Sequence, residues 1–242
     1  MEELIYNPTS EQVARALLNS GSYLIKDTSS LLDISKWFKW KSGIEAPVYT
    51  NCRYLMGYPG ATAVVVQSLV SSIKNNFPGV ELIIGVESAG IQWSSTVAFD
   101  MGLPTAFVRK KLKGHGVDEG LFVGSPGNLK NVTAVIIDDL VASGESIESV
   151  INALKEEKGI NVIGVQSIVN WNFNHMKERF RRLNIPIKAL VSYPHILNEA
   201  VNQDIIDLEV KEELLFFYQN PRGHIFNFQF LIDRIKKTGT ED

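Results

Sequence analysis

Val135-Ile136-Ile137-Asp138-Asp139-Leu140-Val141-Ala142-Ser143-Gly144-Glu145-Ser146-Ile147 is the stretch whose reading decides the fold. The apolar run from Ala134 to Ile137 has no polar alternation, which marks a strand buried on both faces. Two carboxylates stand at its carboxyl end, two more apolar residues come next, and small residues then form a Gly-containing turn before a helical stretch over 146–158. Backbone N–H groups at such a helix start, together with the positive end of the helix dipole, attract an anion. The adjacent carboxylates can accept hydrogen bonds from vicinal hydroxyls, so the unit suits a sugar phosphate. Read alone, an Asp-Asp pair is more often a solvated strand end followed by an N-cap.

The flanking sequence repeats the same unit. Apolar strands are expected at 82–86, 105–108, 134–137 and 162–169, and helices at 61–74, 91–101 and 146–158. Continuous apolar strands alternating with helices predict an α/β fold with a central parallel sheet covered by helices on both faces. In such sheets ligands bind beyond the carboxyl ends of the strands, so the residues after Val86, Val108 and Ile137 are the ones to examine. Ahead of this core, Thr9, Ser10, Glu11 and Gln12 open a capped helix that ends near Gly21. A second short helix is expected over 30–38, and residues 39–53 read as extended and turn-rich, a candidate hairpin or binding loop. Past residue 200, helices are expected over 204–218 and 226–237. The organisation expected is one phosphate-binding unit with a hood over 1–58, a core over 59–199 and a helical extension over 200–242.

The 242 residues carry a net charge of −3, which argues against the broad positive field of sequence-independent nucleic-acid binding. Any basic site is therefore local. Cys52 is the only cysteine, so no intrachain disulfide can form, and no Cys/His cluster has zinc-site spacing. The acidic start Met1-Glu2-Glu3-Leu4 lacks the pattern of a signal peptide, and no apolar run approaches the roughly 20 residues of a membrane span. A cytoplasmic protein with neither membrane nor nucleic-acid partner is expected. One connection breaks the rhythm: residues 110–131 exceed the roughly 12–15 residues usual for a loop without function, and Arg109, Lys110, Lys111, Lys113 and His115 crowd its start. On charge alone this is a solvated basic loop.

The acidic turn resembles the phosphoribosyl-diphosphate signature of type I phosphoribosyltransferases. The resemblance implies that Asp138 and Asp139 hold the ribose hydroxyls and that Ala142, Ser143, Gly144, Glu145 and Ser146 cradle the 5-phosphate. Arg109-Lys110-x-x-Lys113-x-His115-Gly116 is similar to the catalytic loop of the orotate phosphoribosyltransferases, which closes over the neighbouring subunit's site. Arg109, Lys110, Lys113 and His115 carry over, with Lys113 the main candidate to stabilise the charge that develops on a departing diphosphate. Phe38 to Tyr49 resembles the family's amino-terminal hood, whose lysine is here Lys41. The stretch Gly85-Val86-Glu87-Ser88-Ala89-Gly90-Ile91 resembles its diphosphate loop, which implies backbone contacts from Ser88, Ala89 and Gly90. The resemblance further implies phosphoribosyl diphosphate as donor, a nucleobase such as orotate as acceptor, Mg2+ bridging substrate oxygens without a dedicated protein cage, and a homodimer.

The chain also departs from that pattern. Family members commonly carry threonine at the position of Ala142 and a small residue at that of Glu145. A hydroxyl donor is thereby lost, and a carboxylate stands beside the phosphate, weakening binding unless it turns outward. Orotate enzymes usually carry an Asp-Arg pair after the next strand, and its arginine holds the base carboxylate, whereas this chain has Asn170-Trp171. Trp171 offers either a stacking face for a heteroaromatic base or a core side chain. The basic run over 177–182 reads as a solvated helix face. Three readings stay open: an orotate enzyme, a phosphoribosyltransferase for another base, and a non-catalytic regulator that binds phosphoribosyl diphosphate.

Overall fold

The computed structural model describes residues 8–40, 43–109, 121–124, 129–171 and 174–219. In chain order the elements are α1 (Ser10–Asn19), β1 (Tyr23–Ile25), α2 (Thr28–Leu31), β2 (Phe38–Lys39), β3 (Glu45–Ala46), β4 (Val48–Thr50), α3 (Pro59–Asn76), β5 (Leu82–Val86) and α4 (Ala89–Met101). They continue with β6 (Thr105–Val108), β7 (Phe122–Val123), β8 (Thr133–Val141), α5 (Glu145–Lys158), β9 (Asn161–Asn170), α6 (Asn174–Leu183), β10 (Ile187–Ser192), α7 (Tyr193–Asn202) and α8 (Leu208–Gln219).

The central sheet has the order β10-β9-β8-β5-β6-β7. Pairs β10–β9, β9–β8, β8–β5 and β5–β6 are parallel, and the short β7 adds antiparallel to the edge strand β6. Alternate residues of each strand feed two cores. Ile83, Val135 and Ile137 pack with buried residues of α1, α3, α4, α7 and α8 on one face. Leu82, Ile84, Ala134 and Ile136 pack on the other with Ile147, Ile151 and Leu154 of α5 and Met176 and Phe180 of α6. Both faces are thus covered, as the unalternating strands require. Progress along the chain moves outward from β5 to β6 and, in the opposite direction, from β8 to β9 to β10. The reversal falls between β5 and β8, and this is where such sheets open a crevice for ligands.

Several local expectations are corrected. The helix expected over 30–38 is instead α2, a separate 3-10 turn over Ile34–Lys36 and the strand β2. Asp27 accepts the Ser30 N–H and Asp33 accepts the Ser35 N–H, so two acidic caps each start a short turn in place of one helix. The α3 helix begins at Pro59 and not at 61, since proline at the first helical position has no N–H to lose. The β8 strand runs through both aspartates to Val141, which takes the acids out of the turn and onto the ladder. The strand β10 and the helix α7 had no counterpart in the expectations. The helix expected over 226–237 lies outside the described residues.

The hood is tied down by two antiparallel pairings, β1 with β4 and β2 with β3, and by aromatic packing. Trp40 meets Trp171 edge-on at 4.6 Å and Phe217 of α8 at 5.7 Å. One cluster of rings therefore joins the hood, the end of β9 and the carboxyl-terminal helices. Among the described residues no helix is long and apolar enough to cross a membrane.

Candidate active site

The β5/β8 reversal brings two of the sequence-derived motifs face to face. At the end of β5, the Glu87 N–H donates to the Val108 carbonyl at 2.9 Å, the Glu87-Ser88 peptide is cis, and α4 starts at Ala89. The first turn of α4 presses on β8: a Cβ built at Gly90 would lie 2.6 Å from the Ile137 carbonyl oxygen and 3.6 Å from Asp138 Cα. Ser88 is exposed at the mouth while Ala89 and Gly90 are buried beneath it. Asp138 and Asp139 are half-buried, and one Asp138 carboxylate oxygen accepts the Asp139 N–H at 2.9 Å. Burial pushes the Asp139 carboxyl above its ordinary range, opposed by Asp138 hydrogen bonding and by the charge of Arg53.

Past Val141 the chain turns through Ala142 and Ser143 into Gly144, whose φ of +77° is left-handed backbone. The start of α5 has no side-chain cap from Gly144; the Ser143 hydroxyl accepts the Glu145 N–H at a long 3.4 Å. Ala142, Glu145 and Ser146 are exposed, and Gly144 is buried. Glu145 turns toward α6, where Arg179 Nη2 donates to it at 3.4 Å. Arg109, at the end of β6, donates its backbone N–H to the Leu121 carbonyl at 2.8 Å, which pins the two ends of the basic loop together, and its guanidinium lies 6.0 Å from the Phe107 ring centroid. Lys41, Lys110, Lys113 and His115 lie outside the described residues.

Trp171 follows β9 but does not present a face for a base. It is 3% exposed, stacks on Tyr193 at 4.9 Å with a 28° interplanar angle, and takes the edge of Trp40. Of the two roles the sequence left open, its burial among these rings fits the core one. The residue that sequence reasoning missed is Arg53. It lies in the 3-10 turn Cys52–Gly57 after β4, follows the buried Cys52, and donates from Nη2 to the Ser88 hydroxyl at 3.1 Å. A guanidinium thus binds the loop after β5 and lies near enough to Asp139 for its charge to act there. Its only sequence signal was a lone cation at the end of the hood stretch, and one charge on a predicted loop is not informative without the fold. Cys52 donates its thiol toward the Asp139 carbonyl at 3.8 Å, and burial, followed by the Asp139 and Asp138 charges, raises its pKa well above the ordinary thiol value. It is a neutral packing residue under the acidic pair, since nucleophilic cysteines need a stabilised thiolate.

The profile of the phosphoribosyl transferase domain family matches residues 61–185, from the first turns of α3 to the residues just before β10. The orotate phosphoribosyltransferase of Fusobacterium nucleatum subsp. nucleatum is 32% identical over 217 residues, which is 88% of this chain and 97% of that protein. The protein of the same name from Staphylococcus epidermidis is 32% identical over 211 residues, 87% of this chain and 98% of its own. Among solved structures, orotate phosphoribosyltransferase from Aeropyrum pernix superposes with a TM-score of 0.65 at 24% identity, covering 77% of this chain and 97% of that one. That last likeness is one of fold.

Proposed function

The chain belongs to the phosphoribosyl transferase family, and from that premise we propose that it transfers ribose 5-phosphate from phosphoribosyl diphosphate to orotate, forming orotidine 5′-phosphate and releasing diphosphate. The observation that carries the reading is the meeting of Asp138 and Asp139 with the Ser88–Gly90 turn at the β5/β8 reversal, in a chain whose full-length relatives bear the orotate name.

Asp138 and Asp139 accept the ribose hydroxyls, and the N–H groups of the 142–146 turn hold the 5-phosphate. The C1′–O bond to diphosphate breaks with its electron pair leaving on diphosphate, and the ring nitrogen, giving up its N–H proton to solvent, bonds to C1′ through an oxocarbenium-like centre as in other glycosyl transfers. Donors aimed at the departing diphosphate stabilise the charge it gains: backbone groups of Ser88, Ala89 and Gly90, the Arg53 guanidinium, and the cations Arg109, Lys110 and Lys113, with His115 beside them. Lys41 approaches the substrates from the hood. The carboxylates of Asp138 and Asp139 are hard oxygen donors of the kind that suit Mg2+ bound mainly through substrate oxygens; when bound, the ion neutralises diphosphate charge. A homodimer, with the basic loop of each subunit covering the site of the other, and a cytoplasmic location complete the reading.

A second reading keeps the reaction and changes the base. Asn170-Trp171 supplies no guanidinium for a base carboxylate, and Trp171 is committed to the aromatic core. The test incubates the purified protein with Mg2+, phosphoribosyl diphosphate and a panel of orotate, uracil, adenine, guanine and hypoxanthine, monitoring nucleotide and diphosphate. Turnover with orotate is expected. Turnover with a different base alone would move the acceptor assignment, and binding of phosphoribosyl diphosphate without turnover on any base would leave a regulator.

A further inference from the structure

Glu145 places a carboxylate in the turn assigned to a phosphate dianion, and the structure contains the group that answers it. In the basic run of α6, Lys177, Glu178, Arg181 and Arg182 are exposed, whereas Arg179 turns inward with only 19% of its side chain exposed. One guanidinium nitrogen, Nη2, donates to Glu145 at 3.4 Å, and the other, Nη1, pairs closely with Glu148. Its Nε–H is buried and has no acceptor among the described residues. The aliphatic stem is held as firmly as the head: a Cβ built on Gly144 would come within 3.3 Å of Arg179 Cδ and 2.8 Å of Phe180 Cε2. The left-handed Gly144 and the side chains of α6 therefore fit against one another, and the guanidinium is fixed behind the phosphate turn.

We propose that Arg179 is the positioning residue of the 5-phosphate turn, holding Glu145 and Glu148 back along α5 so that the turn stays attractive to a dianion. This rests on the reading of residues 142–146 as the phosphate cradle. With one hydrogen bond from each Nη to a carboxylate of α5 and its Nε buried, Arg179 is committed to Glu145 and Glu148 and acts through Glu145. The three side chains carry a net charge of −1, which becomes −2 beside the phosphate when Arg179 is lost. Glu145 is 72% exposed, so water screens part of the effect.

Arg179→Met keeps an apolar stem against Gly144 and removes the charge. Direct binding of phosphoribosyl diphosphate at low salt should weaken by roughly fivefold, the order expected for one uncompensated charge several ångströms from a dianion in a watery setting. KM for phosphoribosyl diphosphate should rise in step while kcat moves far less, and the loss should shrink as salt is added. Adding Glu145→Gln to this variant should restore most of the affinity, whereas the same substitution in the parent should tighten binding by no more than about twofold, because there the charge is already answered. A merely structural role for Arg179 predicts no rescue. Parental affinity in the methionine variant, or failure of Glu145→Gln to rescue it, overturns the proposal. If the methionine variant does not fold, Glu145→Gln alone still decides, since its site is exposed: a gain near tenfold in the parent means that Glu145 was never neutralised. A parent protein that binds no phosphoribosyl diphosphate overturns the substrate assignment itself, a different outcome from parent and variant binding alike.

Discussion

Gly90→Ala tests whether the seam between α4 and β8 sets the geometry of the site. The added Cβ would lie 2.6 Å from the Ile137 carbonyl oxygen, against about 3.4 Å for an ordinary contact, so the seam must open by about 0.8 Å. The obstacle is backbone, so no rotamer change relieves it. Gly85 lies on the same seam, and a Cβ there would meet the Gly90 carbonyl at 2.6 Å, which leaves α4 little room to slide along the sheet. Overpacking of this kind costs about 1–3 kcal/mol, and the better helix propensity of alanine returns up to about 1 kcal/mol. A net loss of about 1–2 kcal/mol lowers Tm by roughly 2–8 °C in a chain of this size. The activity should suffer more, because Asp138 is the next residue along β8 and a misplacement near 1 Å can cost about 100-fold. Thermal melts and kcat/KM for phosphoribosyl diphosphate should therefore show a Tm loss of that size and a fall in kcat/KM of roughly 10- to 100-fold. Gly60→Ala is the control: nothing lies within 4 Å of its Cβ and it sits in the first turn of α3, so Tm should hold or rise. A Gly90→Ala protein that melts and turns over like the parent would refute the reasoning.

Asp139→Asn should separate stability from function. Burial raises the Asp139 carboxyl pKa, so the folded state holds this proton more tightly than the unfolded chain. The stabilisation is full below the ordinary carboxylate value and is lost as pH rises through the raised one. At pH 8 the parent folds with a half-buried carboxylate, and the asparagine variant should melt higher, by a margin that shrinks toward pH 4, while turnover falls by at least about 100-fold. A pH-independent margin would contradict this. For Glu199, 1% exposed, burial pushes the carboxyl up, but hydrogen bonds from Arg15 at 2.7 Å, Gln203 at 3.0 Å and Asn202 at 3.3 Å outweigh it and leave the pKa low. That stabilisation is present above the ordinary carboxylate value and is lost as pH falls through the lowered one. Arg15→Met should cost about 1 kcal/mol at pH 7, at the low end because Arg15 is largely exposed, and the difference in Tm should narrow in acid; an equal deficit at pH 3 and pH 7 would refute it.

The acidic strand end and the turn after it were legible in the sequence because their parts are local. An apolar run, two acids and a small-residue turn lie within thirteen consecutive residues, and the pattern that buries the strand also aims the acids at its carboxyl end. The alternation of apolar strands and helices likewise specified a parallel sheet covered on both faces. Sequence could not order the strands, since β5 and β8 meet only across the sheet, nor find β10, an edge strand interrupted by Lys188. Trp171 looked equally suited to ligand and core until Trp40, Tyr193 and Tyr218 closed around it. Arg53 and Arg179 sat in segments where a cation is usually solvated. Charge in a sequence carries no direction; only the hood's return to Ser88 set Arg53 on the loop after β5, and only the packing of α6 on Gly144 set Arg179 on Glu145 and Glu148. The apolar strand, its two acids and the small-residue turn were thus legible in sequence alone, while the placement of the cations near them was decided by tertiary packing, because a contact between residues distant in the chain exists only once the core between them has formed.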